Sequence, residues 1–153
     1  MKLKRKQLQA IYEALKGISA SKLSEGAWNV IRNQKTVFKI LEDQDDAINA
    51  FQKDCFDKDE EGNPKKYTEK VDIGGGQSVD HEVFKITDPE KQTAFDKFVR
   101  DMVEQEYDIE LIRVSKNAFN KMIDKGQLDL NCLVPLLDVM IPDPDKKVDE
   151  ADG

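Results

Sequence analysis

The acids of "DKDEEGNP", Asp57 to Pro64, are the first residues in this chain whose spacing could do chemistry. They put Asp57, Asp59, Glu61 and Gly62 at the first, third, fifth and sixth positions of an EF-hand calcium loop. That loop needs oxygen ligands at alternating positions, glycine at the sixth and a bidentate glutamate at the twelfth. The match stops at the sixth. Glu61 is long for the fifth position, Pro64 holds the eighth, Lys65 the ninth and Thr68 the twelfth, with Glu69 one residue late. No helix-forming stretch follows. The pattern reads as a solvated turn beyond a helix end, and no metal is expected there.

Other reactive types are sparse. His81 is the only histidine, and no thiol or carboxylate stands at helical ligand spacing from it. Asp80–Glu82 reads as an exposed turn. Ser78 or Ser115 with His81 and an aspartate has the composition of a triad but no nucleophile-elbow pattern. Gly74–Gly76 lacks the lysine and hydroxyl residue of a phosphate loop. Cys55 and Cys132 sit among apolar neighbours, far apart and outside any CxxC pattern. They read as reduced core thiols of a cytosolic protein. A general acid needs a sheltered carboxyl, and the dense acids here offer the reverse. The expectation is a non-enzyme with no cofactor and no small-molecule substrate.

The totals bound the rest. The chain has 153 residues, 39% apolar and 36% charged, with a formal net charge of −7. This length favours one domain and suffices for a core. The charge balance suits narrow helical packing with much solvated surface. Between Glu42 and Glu61 nine acids meet only Lys53 and Lys58, so this segment alone sums to −7. Such a chain lacks the basic face that nonspecific nucleic-acid binding needs, and "MKLKRK" is too short to reverse that. No signal peptide is read, because no apolar region follows the basic start. The most apolar run, Leu128 to Ile141, is broken by Asp129 and Asp138 and is too short to span a bilayer. A soluble intracellular protein is expected.

Periodicity supplies the elements. Leu8, Ile11, Tyr12 and Leu15 predict a helix from Arg5 to Lys16, closed by Gly17. Ser24 is a candidate cap for one long helix from Glu25 to Phe56. Its stripe runs through Ala27, Val30, Ile31, Val37, Phe38, Leu41, Ile48, Phe51 and Cys55. Gln34, Gln44 and Asp45 interrupt the stripe, and Trp28 and Ile40 lie off its centre. Val71–Ile73 and Val83–Ile86 read as short strands around Gly74–Gly76, within an irregular tip. Asp88 or Thr87 with Pro89 opens a return helix to Glu106, whose face is Phe95, Phe98, Val99 and Met102. "YDIELIRVS" alternates as a strand with Ile109 and Leu111 on one side. Its partner would be Val71–Ile73, Val83–Ile86 or "MKLKR". Ser115 and Gly126 bound a short helix burying Phe119, Met122 and Ile123. A final helix runs from Asn131 to Met140, with Pro135 near its start and Pro142 at its stop.

The fold class expected is mainly α with a small β element, an α+β arrangement. It is built on a long antiparallel helical hairpin with a short β-hairpin or strand region and short C-terminal helices. Residues 1–141 form one domain, 57–88 its irregular tip, and 142–153 a disordered acidic tail.

The order of elements resembles a family of small, uncharacterised tailed-bacteriophage proteins. The likeness is carried by "FQKDCFDKDEEGNP", by "FDKFVRDMVEQEYDIEL", and by "IRVSKNAFNKM" followed by "LNCLVPLLDVMI", across residues 25 to 141. Members show a basic start, a D-x-x-G-N turn and a closing L-x-x-L-x-x-M-I-like helix. This chain departs in its longer Gly-rich insert around Ile73–Val83 and its acidic tail. The resemblance implies a phage or prophage origin and carries no activity and no catalytic residue.

The function expected is therefore protein–protein interaction, in virion or tail assembly or as an accessory factor, in the bacterial host cytoplasm or on the virion. The return arm is shorter than the outgoing one. Trp28, Val30 and Val37 are read as the stretch it leaves uncovered, open to a protein partner or a second copy. The alternative is an acidic inhibitor of a host nucleic-acid enzyme. In that reading Asp43, Asp46 and Asp54, with Glu42 and Asp57, imitate a DNA backbone.

Overall fold

A computed structural model of the chain describes residues 1–18, 26–124, 133–137 and 139–141, the side chain of Met122 excepted. Ser24, Gly126, Cys132, Pro142 and the acidic tail lie outside the described residues. The chain divides into two compact units: residues 1–43 with 103–153, and residues 44–102.

The first unit starts with a short strand, β1 (Lys2–Lys4), that runs directly into α1 (Arg5–Gly17). The Lys4 amide donates to Gln7 Oε1 at 2.9 Å, which satisfies one of the free donors at the helix start. Leu8, Ile11, Ala14 and Leu15 are the buried face of α1. The long helix α2 (Ala27–Cys55) follows. Its first turn hangs on Gly26, whose carbonyl accepts from Asn29 and Val30 at 3.0 and 3.1 Å. Gly26 has φ +77°, and a Cβ there would stand 2.7 Å from Val114 Cγ1. Only glycine meets both demands cheaply.

β1 pairs antiparallel with β4 (Glu106–Asp108), Leu3 opposite Tyr107. Of the three partners considered for "YDIELIRVS", the structure uses the N-terminal residues. The expected nine-residue strand is corrected to three. Its partner ends where α1 begins at Arg5, so the ladder ends too. Among the described residues, 109–115 have no strand partner. The Met1 carbonyl accepts from Ile109 N at 2.8 Å, and the Val114 N–H donates to the Met140 carbonyl at 3.0 Å. Ile109, Leu111 and Val114 are all buried, so the alternation expected of a strand fails at Val114.

Ser115 caps α4 (Lys116–Asp124), its Oγ accepting from Asn117 N at 3.2 Å. In place of the expected final helix, the described residues form a 3-10 turn, Val134–Leu136. Pro135 sits in its first positions, and Leu137 turns extended, with ψ 142°, and forms an isolated bridge with Ile141. The core gathers Leu3, Leu8, Ile11, Leu15, Val30, Val37, Phe119, Leu136 and Met140 with their neighbours.

In the second unit, β2 (Lys66–Gly74) and β3 (Gln77–Phe84) form an antiparallel hairpin, Val71 opposite Val79, with a register irregularity between Asp72 and Gly74. This is far more regular than the irregular tip expected, because Tyr67, Val71, Val79 and Val83 pair across one face. Gly75 and Gly76, at φ +67° and +77°, close the turn. Helix α3 (Pro89–Glu104) opens on Asp88, whose Oδ1 accepts from Glu90 N at 2.9 Å, and stops two residues before the expected end. Its Phe95, Phe98, Val99 and Met102 are half-buried. Phe98 stacks on Phe51 with ring centres 4.4 Å apart, and Phe56 on Phe84 at 5.3 Å.

Candidate functional site

Two lines of side chains run along the first half of α2. Val30, Asn33, Val37 and Leu41, at three- and four-residue steps, are buried. Val30 and Val37 were expected to be uncovered; that expectation is corrected. They join the core with Leu8, Leu15 and Phe119, so the length of α3 does not decide their exposure. The second line is Trp28, Ile31, Lys35 and Phe38, again at steps of three and four. Here Trp28 is 75% exposed, Ile31 41% and Phe38 44%. One helix thus carries an inner seam and an outer one, rotated apart by the helical period.

Helix α1 turns the outer line into a groove. Tyr12 lies beside Phe38, ring centres 5.6 Å apart and tilted 34°. The Lys16 ammonium stands 5.5 Å over the Tyr12 ring and pairs with Glu13 at 3.2 Å. Tyr12, Ile31, Gln34, Lys35 and Phe38 line an open hollow of about 300 Å³. Its walls are largely apolar, with Lys35 as the one charge. From Ala27 to Leu41 the helix carries Arg32, Lys35 and Lys39 and no acid. Lys39 is engaged by Asp43 at 2.8 Å and Glu42 at 3.5 Å, and the hydrogen bond to Asp43 raises its pKa. Among the described residues no ion pair engages Arg32 or Lys35.

The sequence reading missed Asn33, which holds this groove's helix in place. Asn33 is buried, its Nδ2 donates to the Ile112 carbonyl at 2.7 Å, and its Oδ1 accepts from Ile112 N at 2.8 Å. A polar residue inside an apolar 3-4 pattern was the available signal.

The acids are placed differently from one another. Asp43 is spent on Lys39, while Asp46 and Asp54 are exposed. Asp57 is a structural clamp. Its Oδ1 accepts from Thr87 N at 3.0 Å; its Oδ2 accepts from the Tyr67 hydroxyl at 2.7 Å and from the Thr87 hydroxyl at 2.9 Å. Its backbone donates to Lys85 O and accepts from Lys65 N. The Thr87 amide, then the Tyr67 hydroxyl, hold the Asp57 pKa below the usual carboxylate value. Asp59 Oδ1 accepts from Glu61 N and Asn63 N at 3.0 and 2.8 Å, closing a turn of its own. The two aspartates therefore face different protein donors, and among the described residues no three His, Cys, Asp or Glu side chains are placed to hold a metal.

Ser78 and His81, three apart on β3, face opposite sides of the strand. Glu69, opposite His81, pairs with Lys85 at 2.6 Å. Cys55 is buried. A second hollow, about 570 Å³, opens beside Met1 and residues 109–113. The terminal ammonium there is held by Asp108 and by the Ile109 carbonyl. No helix among the described residues is long and apolar enough to cross a membrane.

No protein-family model, no curated protein and no solved structure matches the chain.

Proposed function

We propose that the protein is a non-enzymatic interaction module of phage or prophage origin that binds a protein partner through the outer line of α2, in virion or tail assembly. The carrying observation is the exposure of Trp28, Ile31 and Phe38 in one line beside an apolar groove. Large aromatics left open and contiguous mark interfaces more often than scattered ones do. The phage origin rests on the likeness of residues 25–141, and the hairpin reading of α2 and α3 on the Phe51–Phe98 stack. The acidic-mimic reading loses Asp43 and Glu42 to Lys39 and Asp57 to the β-hairpin base, which leaves Asp46 and Asp54 of its row.

Trp28→Ala and Phe38→Asp should each abolish capture of the partner in pull-downs, with the circular dichroism spectrum unchanged. Replacing Asp43, Asp46 and Asp54 by Asn should leave capture intact. The reverse pattern would transfer the function to the acids.

A further inference from the structure

The outer line has more character than apolarity. Its 28–31–35–38 spacing presents gaps at the steps into which side chains of a second helix insert. The groove between Tyr12 and Phe38 is concave and apolar at its base. Its α2 side carries only cations: Lys35 lies in the lining, Arg32 follows Ile31 along the helix and is exposed, and no acid occurs between Ala27 and Leu41; on the α1 side the one acid, Glu13, is paired with Lys16.

We propose that the occupant is an amphipathic helix of an acidic partner protein, its apolar residues seated between Tyr12, Ile31 and Phe38 and its carboxylates against Arg32 and Lys35. This rests on the reading of the outer line as an interface and specifies its partner. A second copy of the chain fits less well. Antiparallel pairing about the middle of the apolar line would bring Lys35 of each copy beside Arg32 of the other, like charge on like. An anionic lipid surface also fits less well. It favours an unbroken convex face with cations on both flanks, whereas this face is grooved, and the same helix turns acidic at Glu42 and Asp43. Opposite charges around an apolar seat steer the encounter and select the partner by sign.

The full chain reports its own occupancy, because Trp28 is its only tryptophan and lies at the head of the line. Four titrations follow its emission. The probes are a Trp-free amphipathic helical peptide of about five turns with leucines at three-four spacing and glutamate flanks, the same peptide with lysine flanks, phosphatidylglycerol vesicles, and the protein alone over a range of concentrations. The expected result is a blue shift with the glutamate peptide, at roughly tenfold or better preference over the lysine peptide. Paired Arg32→Gln and Lys35→Gln changes should remove that preference. Raising salt from about 0.05 to about 0.5 M, roughly a threefold shortening of the screening length, should weaken binding several-fold. Equal binding of both peptides, a shift with vesicles instead, or a shift on concentrating the protein alone would each overturn the proposal. If neither peptide binds while Phe38→Asp still abolishes partner capture, this inference fails and the interface reading stands. If Phe38→Asp also leaves capture intact, the interface reading fails with it.

Discussion

Two polar side chains, Asn33 and Asp57, tie together segments that lie far apart in the chain. Asn33 sits among valines and leucines because it replaces a missing strand. Its amide makes to Ile112 the two hydrogen bonds that a neighbouring backbone would have made. Asn33→Ala would leave the part-buried N–H and C=O of Ile112 without their partner, so a loss of about 1–2 kcal/mol is expected. Thermal unfolding should show it as a Tm lower by about 2–8 °C. Asp57 ties the helix end to the hairpin base, and its pKa is depressed by the donors around it. A depressed carboxylate contributes stability that is present above its unfolded pKa and lost as pH falls through the folded value. The hairpin base should therefore loosen on the acid side, below about pH 4. Glu69, lowered by its hydrogen bond with Lys85, titrates in the same direction. Amide chemical shifts of Thr87 and Lys65 would follow the transition. In Asp57→Asn the Nδ2 cannot accept from Tyr67, so the pH-dependent step at Thr87 should vanish and the base should be loose at neutral pH. An acid transition unchanged in Asp57→Asn would assign it elsewhere. The sequence shows Asp57 as an acid of a solvated turn and a member of the acidic row. Its partners Tyr67 and Thr87 are ten and thirty residues away, beyond any local pattern.

At the scale of elements, periodicity served where one face is buried by neighbours of regular shape. Helices α1, α2 and α3 lie within two residues of their expected bounds, and Asp88 and Ser115 cap the helices assigned to them. Periodicity failed where a local device overrides it. Residues 109–115 alternate like a strand, but their partner has only three residues before α1 begins. The last apolar run reads as a helix, and Pro135 with extended Leu137 makes it a 3-10 turn. Gly26 is a further such device, because its role depends on Val114, far along the chain. Gly26→Ala combines a left-handed φ with a Cβ 2.7 Å from a buried methyl. It should destabilise by about 2 kcal/mol or more. Gly75→Ala, at φ +67° with open space around it, should cost about 1 kcal/mol. Paired denaturant titrations of the two variants check the contrast. A two-stranded hairpin is marginal by itself. Here Asp57 and the Phe56–Phe84 stack hold its base.

For the whole molecule, the proposal divides the two seams of α2 between folding and function. Inner-seam Val37 is fully buried, and Val37→Ala should cost about 2 kcal/mol of stability. Outer-seam Trp28→Ala should stay within about 0.5 kcal/mol of the parent in denaturant titration and yet lose the partner. The stripe is legible in the sequence, but its open side is not: Val30 and Val37 face the core. Periodicity reports that a helix has apolar faces; which face a core takes depends on α1 and residues 109–114. The expected partner site therefore shifts from Trp28, Val30 and Val37 to Trp28, Ile31 and Phe38. Site-specific photo-crosslinking tests this most directly. A photoreactive residue in place of Lys35 should give one dominant partner adduct. The same residue in place of exposed Ala50, midway between Asp46 and Asp54 on the acidic row, should give none. Adducts formed only from position 50 would contradict the claim that the outer line of α2 is where this protein meets its partner.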